Sequence, residues 1–142
     1  MPIRISETQW SGGLNTGKGI LHFGSGTYEG SYSAGSRFDD DSGSNPEELI
    51  GAAHAACFSM ALAMLLEQAG HKPEMIETRA AVHLDSQNGG YKISLVELHT
   101  KARVPGISEE DFTKHTQTAK ADCPVSQALA GTDVTLKAQL ES

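Results

Sequence analysis

The rhythm of apolar and polar positions changes along the chain, and each change marks an element. In the first forty residues, short strand-like runs are broken by glycine. Residues 3–10, 19–23 and 28–34 read as strands, with Ser11-Gly12-Gly13 and Gly24-Ser25-Gly26 as turn chemistry. The polar run from Asp39 to Ser44 ends this pattern. Ser44-Asn45-Pro46-Glu47-Glu48 then has the marks of a helix start: a capping side chain, proline in the first turn, and two acids at the positive end of the dipole. From Leu49 to Leu66 no residue carries a formal charge, and Gly70 and Pro73 terminate the segment. That run is near the lower limit of membrane-spanning length. Its alanines, with Gly51, His54 and Ser59, dilute it, and no basic flank sets an orientation. A central core helix buried on nearly every side is therefore expected.

Beyond the helix, Ile76, Thr78, Ala80, Val82 and Leu84 alternate with Glu77, Arg79, His83 and Asp85, a strand with one apolar face. Residues 86–90 turn the chain, and 91–104 return it. Ile93 and Leu95 lie on one parity of the return strand, Val96 and Leu98 on the other, which predicts a bulge or burial of both faces. Ser108-x-x-Asp111 opens a second helix running to about Ala121, Cys123-Pro124 starts a short third one ending near Gly131, and Val134, Leu136, Ala138 and Leu140 make a final strand. The order β-β-β-α-β-β-α-α-β predicts one α+β domain over residues 1–142, with antiparallel sheets around a long buried central helix.

Composition narrows the function classes. The chain has 142 residues, a net charge of −7 and 38% hydrophobic residues, placing it among folded acidic domains. It lacks the basic footprint of a nucleic-acid or anionic-membrane binder. Gly17-Lys18-Gly19 has neither the spacing nor the following helix of a phosphate loop and reads as a hairpin turn. The opening residues MPIRISETQW contain no apolar signal core, so a cytoplasmic protein is expected. Cys57 and Cys123 form no C-x-x-C, and no ligand pair at metal spacing stands near His54; no metal is expected. In a reducing cytosol the two thiols are either buried small hydrophobes or reactive groups.

The residues alone leave that choice open. Cys57 lies mid-helix among small neighbours, as a packing cysteine would. Cys123, before Pro124, sits at a helix start where the dipole and free N–H groups favour a thiolate, while Asp122 opposes it. His54, one turn before Cys57, is a base, a ligand or a packed core residue. Arg37 and Glu48 flank the polar loop, and a guanidinium can pair with a carboxylate while favouring a nearby thiolate. Glu48 and Cys57 are nine residues apart, on opposite sides of a regular helix, so sharing a site requires a bend near Gly51 or a second subunit.

Three segments together change the picture. Arg37-Phe38, the block NPEELIGAAHAACFSMAL (45–62) and DCPVSQ (122–127) resemble the OsmC/Ohr family of thiol peroxidases, closer to its OsmC branch. The likeness extends over most of the chain, including VPGI from Val104 and the last strand. It implies an α+β fold, an intertwined homodimer with the sites at the subunit interface, and a hydroperoxide reductase using two cysteines without metal or haem. By position, Cys57 matches the peroxidatic cysteine, Cys123 the resolving one, and Arg37 and Glu48 the activating pair.

The expected cycle follows. Cys57 thiolate attacks an organic hydroperoxide (H2O2 less well), the resulting sulfenic acid condenses with Cys123, and an external dithiol, lipoyl-type among the options, reduces the disulfide. Phe58, Met60 and Met64 are expected to form an apolar wall for the carbon tail of the substrate. The rival expectations are a thiol-based peroxide sensor or small-ligand module without turnover, and an interaction protein with two inert thiols.

Overall fold

Three short strands open the chain in the computed structural model, which describes residues 1–141. Contacts divide the chain into two compact units, Met1–Leu49 and the residues from Ile50 onward. In the first unit, β1 (Ser6–Ser11), β2 (Lys18–Phe23) and β3 (Glu29–Tyr32) form an antiparallel meander in that order. Gly19 in β2 is required by its neighbours: a Cβ there would lie 2.4 Å from the Tyr32 ring and 2.8 Å from Trp10. Those two rings pack at 5.5 Å between centroids, tilted by 44° to each other.

A short helix, α1 (Ala34–Phe38), follows where the sequence was expected to end a strand. Ser33 and Ser36 close it with a capping box, each side chain accepting the other's backbone N–H. The Ser36 hydroxyl also donates to the Ser44 carbonyl at 2.7 Å, and Asn45 Nδ2 donates to the Ser36 carbonyl at 3.1 Å. The acidic loop is thus tied at both ends to the start of α2 (Pro46–Gln68).

α2 begins as its sequence predicts. Asn45 Oδ1 accepts the Glu48 N–H at 2.8 Å, with Pro46 in the first helical position. It ends in a Schellman arrangement: Gly70, at φ +88°, donates to the Glu67 carbonyl, and His71 donates to that of Leu66.

In the second unit, β4 (Met75–Gln87) and β5 (Gly90–Arg103) form a long hairpin. The register skips Ser94, since His83 faces Leu95 and Leu84 faces Ile93. That is the bulge expected from the phase change, and the Ser94 hydroxyl donates to Asp85 beside it. After α3 (Glu109–Asp122) and α4 (Pro124–Ala128), β6 (Asp133–Glu141) pairs with β5 in parallel, not antiparallel as expected. A hairpin forces antiparallel pairing, but the two-helix crossover between β5 and β6 is long enough to bring the chain back in the same direction. The α+β class and the order of the elements otherwise stand, with α1 added. Ser108 caps α3 by accepting the Asp111 N–H at 3.1 Å.

Phe58, Leu62 and Leu66 of α2 meet Val96, Leu98 and Ala102 of β5 and Phe112 and Ala119 of α3 in one fully or almost fully buried core. Gly51 lets α2 approach the sheet closely, because a Cβ there would already touch Val82 at 3.3 Å. A hydroxyl ladder joins the same layers: Ser59 Oγ is 2.7 Å from Thr78 Oγ1, which is 3.0 Å from Thr100 Oγ1. α2 is long and apolar enough to cross a membrane, but it is the helix on which this core is built. The expectation that it is buried on nearly every side needs correction. Gly51, His54, Phe58, Leu62 and Leu66 form one buried stripe, whereas Ala52, Ala53, Ala56, Met60 and Met64 are exposed. A helix can be apolar all round when only one face serves its own chain's core.

Candidate active site

The two thiols meet. α2 places Cys57, partly exposed, one turn after His54, and the α3–α4 junction brings up buried Cys123, which is the N-cap of α4. Burial pushes the Cys57 thiol above its ordinary range. A hydrogen bond from the Val125 backbone works against this, and the side chain of Cys123 reinforces it by hydrogen bonding and by its charge when ionised. Both effects of Cys123 require the two side chains to be neighbours, and both cysteines are free thiols. The Pro124 turn explains the placement: proline at the first helical position ends α3 and starts α4, and Ser126 N–H donates to Cys123 Sγ at 3.3 Å.

Behind Cys123 stands a polar chain inside an apolar layer. The Cys123 thiol is 3.2 Å from Ser126 Oγ, which in turn is 2.7 Å from His54 Nε2. His54 is fully buried, and burial lowers its pKa, which favours the neutral ring. Its Nδ1 has no hydrogen-bond partner among the described residues.

In the first unit, Arg37 Nε donates to Glu47 Oε1 at 2.6 Å. The pair is local and positioned: Arg37 is held by the capping box of α1, and Glu47 by the start of α2. Glu47 is 7% exposed, and its second oxygen, Oε2, is buried without a partner among the described residues. Glu48, the carboxylate expected beside Arg37, is exposed and accepts a long 3.4 Å hydrogen bond from Ser44. Adjacent helical residues point about 100° apart, so of two neighbouring acids only one can face Arg37.

Two findings then decide the family. The family model of OsmC-like proteins matches residues 39–137. A peroxiredoxin OsmC of Escherichia coli K12 is 45% identical over 137 residues, 96% of this chain and 95% of that one. The chain belongs to the OsmC family. The organic hydroperoxide resistance protein OhrA of Bacillus subtilis is 38% identical over 96 residues, 66% of this chain and 65% of that one. Among solved structures, an OsmC-like protein of Vibrio cholerae matches with a TM-score of 0.79 at 17% identity, covering 97% of this chain and 99% of that chain, a likeness of fold.

As an OsmC-family protein the chain is a peroxide-reducing redox enzyme. Of the residues expected at its site, Cys57 and Cys123 lie together, and Arg37 has a carboxylate partner other than the one expected. Phe58 is fully buried in the core, whereas Met60 and Met64 are 74% and 54% exposed. Met60 borders a shallow groove of about 250 Å³ with Ser59, Ala63, Pro73 and Ile76. Phe58 points to the opposite side of α2 and has no surface to offer a substrate. Sequence reasoning missed Glu47 and Ser126 as polar anchors. The available signal for Ser126 was its place three residues after an N-cap cysteine, where side chain and backbone both return to the cap.

Proposed function

We propose that this protein is a cysteine-based peroxidase that reduces organic hydroperoxides, with Cys57 as the attacking thiolate and Cys123 as the resolving thiol. The observation that carries the reading is the meeting of two free thiols from distant parts of the chain, one of them partly exposed and the other buried behind it. An attacking thiol needs access to the peroxide, and a resolving thiol needs access only to the first. Cys57 attacks the outer peroxide oxygen, the alcohol leaves, and Cys57 becomes a sulfenic acid. Condensation with Cys123 releases water and forms a disulfide, which an external dithiol, a lipoyl-type one among the options, reduces.

Because burial raises the Cys57 pKa, the thiolate needs a cation. We assign that role to Arg37, oriented by Glu47, with Glu48 set aside. Glu47 is the carboxylate that holds the Arg37 guanidinium, at 2.6 Å, whereas Glu48 is exposed. The guanidinium also suits the alkoxide that leaves. We assign the alkyl tail of the substrate to the exposed face bearing Met60 and Met64, and leave Phe58 to the core. The exposed apolar stripe of α2 supports a homodimer in which a second copy covers it. The reading also makes residues 1–142 one functional domain working in the cytoplasm, where dithiols keep the cycle turning.

The test is steady-state consumption of cumene hydroperoxide with a dithiol, beside thiol counting and intact mass after one equivalent without reductant. Loss of both thiols with a decrease of two hydrogens, and continued turnover once the dithiol is added, is the expected result. A protein that oxidises once and does not turn over is a sensor, and two thiols that still titrate would make both cysteines structural.

A further inference from the structure

His54 presents a problem of economy. It is fully buried on the core-facing stripe of α2, one nitrogen bound to Ser126 and the other bound to nothing among the described residues. A phenylalanine or leucine would fill the same space without stranding a polar atom. The imidazole therefore makes sense through what its Nε2 does, and among the described residues Nε2 is hydrogen-bonded to Ser126, whose hydroxyl lies against the sulfur of Cys123.

The chain has a direction. While Cys123 is a thiol, its S–H donates to Ser126 Oγ at 3.2 Å, and in the tautomer protonated at Nδ1 the Ser126 hydroxyl donates to Nε2 across 2.7 Å. That tautomer of the buried imidazole presents a lone pair at Nε2 and can take a proton there. We propose that Ser126, held by His54, receives the proton of Cys123 as that thiol attacks oxidised Cys57, so that the three residues form a relay for the resolving step. The proposal rests on the two-thiol reading above. Ser126 touches a reacting atom and is catalytic; His54 acts through it and is a positioning residue.

The step balances. The Cys123 S–H bond breaks, its proton passes to Ser126 Oγ, and the serine's own proton passes to His54 Nε2. The electron pair left on Cys123 forms the S–S bond while the S–O bond of the Cys57 sulfenic acid breaks. The departing hydroxide takes up a proton to become water, and His54 releases the proton it accepted. Cys57 sulfur is reduced and Cys123 sulfur oxidised to the disulfide level, so the step needs no outside oxidant or reductant. The burial of His54 suits this transient task, because an imidazolium inside the core gives its proton up quickly.

A single-turnover experiment tests the relay. Reduced protein is mixed with one equivalent of cumene hydroperoxide and quenched over time, with dimedone to trap sulfenic acid and an alkylating agent to cap thiols, and then weighed by mass spectrometry. Ser126→Ala should form the Cys57 sulfenic acid at the parental rate but the disulfide at least tenfold more slowly, with sulfinic acid accumulating when peroxide is in excess. Ser126→Thr, which keeps the hydroxyl, should restore most of the rate, and His54→Phe should behave like Ser126→Ala. Disulfide formation within twofold of the parent in both Ser126→Ala and His54→Phe would overturn the relay, as would a Thr variant as slow as the Ala variant. If the parent protein itself forms neither dimedone adduct nor disulfide, the peroxidase reading fails and the relay with it.

Discussion

Two adjacent glutamates separate what a motif conveys from what a structure adds. Glu47 and Glu48 are equivalent in sequence, both acids in the first turn of α2, but Glu47 is buried against Arg37 and Glu48 is exposed. Which of them faces the arginine depends on where Asn45 starts the helix, and a shift of one residue turns the face by about 100°. That start is not fixed by composition. Glu47→Gln should therefore slow sulfenic acid formation roughly tenfold, the change in thiolate fraction for one pKa unit. Glu48→Gln should leave the rate within twofold. Stopped-flow rates with cumene hydroperoxide decide it, and equal effects of the two changes would remove Arg37–Glu47 from the chemistry. At the same scale, Cys57→Ser should abolish peroxide consumption, while Cys123→Ser should give one sulfenic acid per chain and then stall without an added thiol. Full activity in Cys57→Ser would end the assignment of the attacking thiol. The positions of the cysteines and their partnership were legible from the resemblance; that Cys57 is partly exposed and Cys123 buried needed the fold.

His54 gives a second prediction at this scale, with a definite sign. Its folded pKa is below the ordinary value of 6.5, so below pH 6.5 the unfolded chain takes up a proton that the folded one refuses. The stability contributed by neutral His54 is fully present above pH 6.5 and declines as the pH falls from there through the folded value. One such proton steepens the loss by at most about 1.4 kcal/mol per pH unit. Urea titrations between pH 7.5 and 5 should show a shallower decline in His54→Phe than in the parent. An identical slope would mean that the ring is not held neutral in the fold.

Among the elements, α2 shows how far patterning reaches. Its N-cap, its length and its end at Gly70 were readable because each rests on local chemistry within a few residues. So was the bulge at Ser94, which the phase change in β5 announces. The five-residue helix α1 was not, because a Ser33-x-x-Ser36 box around a glycine is too weak a signal against neighbouring strand residues. The parallel pairing of β6 was not either, since strand direction is set by the crossover and leaves no mark in the strand itself. What α2 does for the fold can be measured directly. Leu62 is fully buried between β5 and α3 residues. Leu62→Ala should cost about 2–5 kcal/mol of unfolding free energy, the range for a buried leucine that leaves a cavity. The same substitution at exposed Met64 should cost under about 0.5 kcal/mol in the monomeric chain. Denaturant midpoints that fail to separate the two would contradict the one-sided burial of the helix.

The exposed side of α2 belongs to the scale of the whole molecule. A hydropathy pattern registers that a face is apolar, but it cannot register whether the covering surface comes from the same chain or another. That is why the sequence suggested a helix buried all round, whereas the chain itself buries a single stripe. Met60 and Met64 stand four residues apart on the uncovered side, with Ala53 and Ala56 continuing it towards the helix start. Small residues beside two methionines allow two helices to approach closely while flexible thioethers fill the remaining gaps. If a second copy covers this face, charges placed there must separate the subunits. The double change Met60→Glu and Met64→Glu should convert a dimer into a monomer by sedimentation velocity at micromolar concentration, because four buried like charges would meet across the axis. Peroxide turnover should fall with it if the second subunit completes the substrate wall. A variant that remains dimeric would place the interface elsewhere, and a parent protein that sediments as a monomer would leave this face free for the substrate alone.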